Sequence, residues 1–74
     1  MKLSDHARER MAEMDVGCDE VYEAIREPDL EYQSDGHGPR RRVYVRGRLA
    51  VVTWTKNQHD GRIVTVLWHR KECR

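Results

Sequence analysis

Pro28 separates two stretches whose apolar residues repeat differently, and that change of period limits the fold more than any other feature. Before it, Leu3, Ala7, Met11 and Met14 recur at helical spacing, as do Val21, Ala24 and Ile25. After it come four segments rich in Val, Thr, Tyr or Trp, separated by turn residues. Ser4 is a good N-cap with Asp5 in the first turn, so a first helix is expected from Ser4 to Met14 or Asp15. Gly17 is expected to supply the left-handed conformation that ends it. A second helix follows from about Asp19 to Glu27, and Pro28 stops it.

The strand candidates are residues 30–34, 41–46, 49–55 and 62–69. Gly47 suits a tight hairpin, and residues 35–39 and 56–61 read as loops. Short turns between successive strands imply antiparallel pairing. Helices that come first and together imply an α+β class. The expected architecture is therefore one domain over 1–74. An N-terminal αα-hairpin (4–27) packs on a four-stranded antiparallel β-meander (30–69), and a charged tail (70–74) follows.

Seventy-four residues bury only about 60% of their unfolded surface, so the core is thin. A surface groove or a site shared with a partner is easier to build than a deep pocket. The third and fourth strand candidates are apolar on both parities, which predicts a covered second sheet face. A homodimer partner, another protein or a ligand would serve. Trp54 and Trp68 have equal parity and could face each other across their strands, where core or dimer packing is favoured over a base-stacking role.

The net charge of +1 conceals a split. Residues 1–35 hold eleven acids and four bases; residues 36–74 hold ten bases and two acids. Such a basic half suits a polyanion, although the helical acids can equally neutralise the sheet's arginines. Arg40, Arg41, Arg42, Arg46 and Arg48 cluster around the second strand candidate with Tyr44 among them. That mixture suits a single-stranded backbone with a stacked base, or else a charged row guarding a sheet edge. His6 and Arg10 are four residues apart and share a helical face, an arrangement compatible with phosphate chemistry or with a plain structural role. His69 closes the last strand; His37 and His59 read as loop bystanders.

Cys18 and Cys73 read as two free thiols. No close-spaced pair of Cys or His suggests a metal, and no cofactor motif is present. The chain has no long apolar run and no apolar leader, so it reads as cytoplasmic, without a membrane partner.

Three segments, HARERMAEMDVGCDEVYEAIREP, RRVYVRGRLAVVTW and GRIVTVLWH, together resemble the bacterial and phage family known as domain of unknown function 4258. The resemblance rests on His6, Arg10 and Met11, on Val16 to Pro28, and on Val64 to Trp68. It implies a layout similar to the BrnT and RelE-like toxins, which are metal-independent ribonucleases. On that footing His6 and Arg10 are expected as catalytic residues, since they match family positions. His69 as a second acid or base, and Arg42, Tyr44, Arg46 and Arg48 as RNA-binding groups, are inferred from strand placement. The expected function is a small toxin-like endoribonuclease acting on single-stranded or ribosome-bound RNA. The alternatives are a non-catalytic toxin-fold protein that binds an antitoxin or host protein, and an RNA-binding module that does not cleave.

Overall fold

The computed structural model describes residues 2–33, 41–57 and 60–69. The elements are β1 (Lys2–Leu3), α1 (Asp5–Met14), α2 (Cys18–Arg26), β2 (Leu30–Gln33), β3 (Arg41–Arg46), β4 (Leu49–Asn57) and β5 (Asp60–Trp68). The expected loop at 35–39 with His37, Arg40, His59, the tail 70–74 and Cys73 lie outside the described residues. Cys18 is a free, exposed thiol.

Both helices form where expected. The Ser4 side chain caps α1 by accepting from the Ala7 N–H at 3.0 Å. The left-handed residue at its end is Asp15 (φ 56°, ψ 45°), not Gly17. The Asp15 N–H donates to the Ala12 carbonyl and the Val16 N–H to the Met11 carbonyl, a Schellman ending. Val16 and Met11, which that motif brings together, are both in the core. Asp tolerates the left-handed region better than most side chains, and Gly17 is left extended (φ −87°) as the N-cap of α2.

The sheet differs from the expected four-stranded meander. β2 to β5 do pair antiparallel in succession, but β1 adds a fifth strand, parallel to β5. The order is β1-β5-β4-β3-β2 and the sheet is mixed. A two-residue strand has no period to detect. It is held because the Ser4 N–H donates to the Ile63 carbonyl at 3.1 Å and the Ser4 hydroxyl donates to the Val64 carbonyl at 2.8 Å. β4 and β5 also run into the expected loop, pairing out to Asn57 and Asp60. At the other hairpin, Gly47 alone has positive φ (61°), the glycine-first pattern of a two-residue II′ turn. Asp29 accepts from its N–H at 2.8 Å.

A β-bulge sets the faces. Val52 pairs with Thr65 but Thr53 pairs with Ile63, so Val64 is an extra residue in β5. Ile63 and Val66 therefore both point to the helices, although they are three residues apart. The bulge also corrects the tryptophan expectation. Trp68 pairs with Leu49 on the helix side, and Trp54 pairs with Arg62 on the other, so the two rings lie on opposite faces.

The helix-side core joins Ala7, Met11, Val16, Val21 and Ala24 to Leu49, Val51, Ile63 and Val66. α1 lies along β5, while α2 crosses β3 and β4, so each helix meets the sheet more than its sister. On the second face Val43, Val45, Ala50 and Val52 are also buried, with Val64 against them. Leu30, Tyr32 and Leu67 share that face and are exposed.

Ser4 thus fastens β1, α1 and the bulge at once. Ser4→Ala should destabilise by about 1–2 kcal/mol in urea denaturation. Ser4→Asp should recover only part of this, because a carboxylate can cap α1 but cannot donate to Val64. Full recovery by Asp would show that the bond to the bulge contributes nothing.

A cation-lined groove as candidate functional site

The residues expected to form a site are distributed over both faces. Arg42, Tyr44 and Arg46 alternate with Val43 and Val45 and so lie on the helix side. There Arg46 is engaged by α2: its Nη1 donates to the Glu27 carbonyl at 2.7 Å and its Nη2 pairs with Glu23 at 3.0 Å. Arg42 pairs with Glu31 on β2 at 3.1 Å. Arg10 pairs with Glu13, one turn along α1, also at 3.1 Å. For these three arginines, neutralisation by nearby acids is what the structure shows.

Arg48 and His69 meet at the far end of the sheet, where the His69 N–H donates to the Arg48 carbonyl at 2.6 Å. At roughly 3.3 Å per residue, His69 is about 17 Å along β5 from Val64. His6 is beside Val64, so the two histidines cannot act on one phosphate in this arrangement.

His6 instead borders a groove of about 450 Å³ with Ser4, Arg41, Trp54, Arg62 and Val64. A second hollow, lined by Lys2, Leu3, Ser4, Gly61 and Arg62, shares Ser4 and Arg62 with it. Register explains the grouping. Arg41 pairs with Trp54, Trp54 with Arg62, and Arg62 with Lys2. Cross-strand partners share a face, so these four side chains form one row across β3, β4, β5 and β1. With strands about 4.8 Å apart, the row spans roughly 14 Å. The Arg62 guanidinium carbon lies 5.5 Å from the centre of a Trp54 ring, within cation–π range.

The electrostatics of this row are unusual for this chain. Among the described residues, none of Arg41, Arg62 and Lys2 has a carboxylate within ion-pair distance. Arg8 on α1, Arg26 on α2 and Arg48 in the β3–β4 turn also have none there, but they are not part of this row. Lys2 and Arg62 are direct cross-strand neighbours of like charge, an arrangement that costs folding energy. An anion in the groove would relieve it. Ser4 has both its hydroxyl functions in use, donating to Val64 and accepting from Ala7, so it is a positioning residue and not a free nucleophile. Among the described residues, no three His, Cys, Asp or Glu side chains come together to hold a metal. None of their helices is long and apolar enough to cross a membrane.

Of the residues that line the two hollows, the sequence singled out His6 and the arginine cluster that includes Arg41; it did not single out Lys2 or Arg62, and packing was favoured for Trp54. The available signal was weak: Lys2 is too near the chain start to show alternation, and the parity of Arg62 is readable only once the bulge is known.

Two helices on one face of a five-stranded mixed sheet, with a groove beside β1 that Arg41 and Arg62 line, define a small α+β domain. The chain belongs to the family described as Domain of unknown function (DUF4258), whose model matches residues 3–68. His6, Arg10, Arg41, Trp54 and Arg62 fall inside that match, while Lys2 and His69 fall just outside its two ends. No curated protein and no solved structure matches the chain.

The two classes of arginine should separate in a stability measurement. Arg46→Ala should cost about 1 kcal/mol, the sum of a charged hydrogen bond and exposed ion pairs. Arg41→Ala and Arg62→Ala should stay within about 0.5 kcal/mol of the parent. A loss at Arg41 as large as at Arg46 would mean that Arg41 is structural too.

Proposed function

We propose that this protein is a small, toxin-like endoribonuclease that takes single-stranded or ribosome-bound RNA into the groove beside His6. The observation that carries the reading is the convergence of Arg41 and Arg62 with the His6 imidazole on one groove, with Lys2 in the adjoining hollow that shares Ser4 and Arg62, while Arg10, Arg42 and Arg46 are tied to acids. A polyanion supplies the charge this row lacks. Arginine suits it because the planar guanidinium grips phosphate through two donors.

The chemistry would need no metal. The ribose 2′-hydroxyl attacks the adjacent phosphate, and the bond to the 5′-oxygen of the next nucleotide breaks. His6 would take the proton of the attacking 2′-hydroxyl and then give it to the departing 5′-oxygen. Arg41 and Arg62 would stabilise the charge that builds on the phosphorane. Arg10 would act through the Arg10–Glu13 pair on the same helical face, as a positioning residue. The reading extends to the layout, which is similar to that of BrnT and RelE-like toxins, and to a cytoplasmic site of action.

A second reading is favoured by a separate observation. Leu30, Tyr32 and Leu67 are exposed on the face that also carries the groove, with Leu30 at 49%. A non-catalytic toxin-fold protein could use them to bind an antitoxin, a host protein or a second copy.

Purified protein and a labelled single-stranded RNA distinguish these readings. Three phosphate contacts predict an affinity that falls roughly 20-fold between 50 and 200 mM salt. The Arg41→Ala, Arg62→Ala double variant should bind at least about tenfold more weakly. His6→Ala should keep the binding and lose cleavage by roughly 100-fold or more. In a bacterial host, RNA should stay intact with His6→Ala and degrade with the parent. Absence of RNA affinity even at low salt would sink the proposal and favour the protein-binding reading.

A further inference from the structure

The row across the sheet is not made of cations alone. Trp54 stands in its middle, half-buried, flanked on β3 by Arg41 and on β5 by Arg62. Packing does not explain a tryptophan there. The buried cluster on this face ends with Val52 and Val64, and Trp54 lines the groove beyond it. Its strand neighbours Arg41 and Arg62 hold the face open to charge instead of covering the ring with apolar side chains. Phosphate binding alone does not explain it either, since an indole adds nothing to the capture of a simple anion.

We infer that Trp54 is the platform on which one unpaired base of a single-stranded RNA stacks, with Arg41 and Lys2 holding the phosphates on either side. This rests on the RNA-binding reading above and deepens it by naming the base subsite. The geometry suits the task. The row places a cation one strand from the ring on one side, and Arg62 then Lys2 on the other, so a backbone crossing the strands meets charge, ring and charge in turn. An unpaired base presents its flat face to such a ring, whereas a base inside a duplex does not.

Arg62 is the competitor for the ring. Its guanidinium lies at 5.5 Å from a Trp54 ring centre, with Arg62 exposed and Trp54 half-buried. An exposed cation–π contact is worth only about two- to five-fold in an equilibrium. A stacked base is worth roughly five- to hundred-fold in affinity. The base therefore displaces Arg62, and the released guanidinium is left one strand away, within reach of the next phosphate. In the free protein Arg62 shields the ring from water and from casual apolar contacts. The site thus selects for a ligand that brings both a base and a phosphate, and gives little to either alone.

The test uses the full chain with Trp68→Phe, which leaves Trp54 as the only tryptophan. The ligand is a hexamer of 2′-O-methyluridine, which has no free 2′-hydroxyl and so cannot be cleaved by the proposed route. Its control is an abasic ribose–phosphate chain of the same length and charge. The uridine hexamer should quench Trp54 fluorescence and bind roughly five- to hundred-fold more tightly than the abasic chain. Annealing it to a complementary strand should abolish the quenching. Trp54→Leu, followed by a labelled ligand, should bind both chains equally; Trp54→Phe should keep most of the preference, and circular dichroism confirms that each variant is folded. Equal affinity for the two chains, or a preference that survives in Trp54→Leu, overturns the stacking site. Salt-dependent binding of both chains in that case leaves the RNA-binding reading intact. If neither chain binds at low salt, the RNA-binding reading fails and this inference fails with it.

Discussion

The extra residue at Val64 decides which side chains share a face. Without the bulge, the residues of β5 before Val64 would exchange faces, moving Ile63 out of the core and Arg62 towards the helices. With it, Ile63 and Val66 both reach the helix-side core and Arg62 turns to the groove. A bulge leaves backbone groups unpaired, and those need partners. Ser4 supplies one, by donating to the Val64 carbonyl. The same hydroxyl caps α1, whose first turn carries His6. One irregularity in a strand thereby fixes the core, the start of the first helix and the position of the groove.

Charge is distributed by the same geometry. α2 crosses β3 on the helix side, so Glu23 and Glu27 meet Arg46, and β2 brings Glu31 to Arg42. These pairs are exposed and each contributes only a few tenths of a kcal/mol to about 1 kcal/mol. Their effect on the surface potential is larger than their effect on stability, since they cancel the cations on that side. On the groove side, among the described residues, no helical acid pairs with Arg41, Arg62 or Lys2. The overall net charge of +1 thus says little about where a polyanion would find attraction.

Much of the fold was readable from local chemistry. Ser4, Pro28 and Gly47 act through their own backbone preferences, so their roles in a cap, a stop and a turn need no knowledge of the rest. β1 was not readable because two residues carry no period, and its existence depends on an open edge of β5 more than fifty residues later. The end of α1 near Asp15 was readable, but the left-handed residue there is Asp15 itself and not Gly17. The candidate site was legible only in part. Spacing along α1 put His6 and Arg10 on one face, but pairing with Glu13 engages Arg10 and leaves His6 to the groove. Arg42 and Arg46 were chosen over Arg41 and Arg62 because strand parity is visible in a sequence while register and bulges are not. The apolar residues on both parities of β5 were the trace of the bulge. They were read as a face covered by a partner or ligand; Val43, Val45, Ala50 and Val52 at its centre are buried within the single chain.

The bond between Ser4 and Val64 joins residues 60 positions apart. Closing so long a loop is slow compared with forming a helix or a hairpin, and it can only follow synthesis of β5. At about 5–20 residues per second, several seconds pass on the ribosome between the emergence of His6 and that of Arg62. During that interval the first helix can form, but the groove does not exist. Any activity housed there is therefore withheld from the nascent chain and switches on only when the last strand docks.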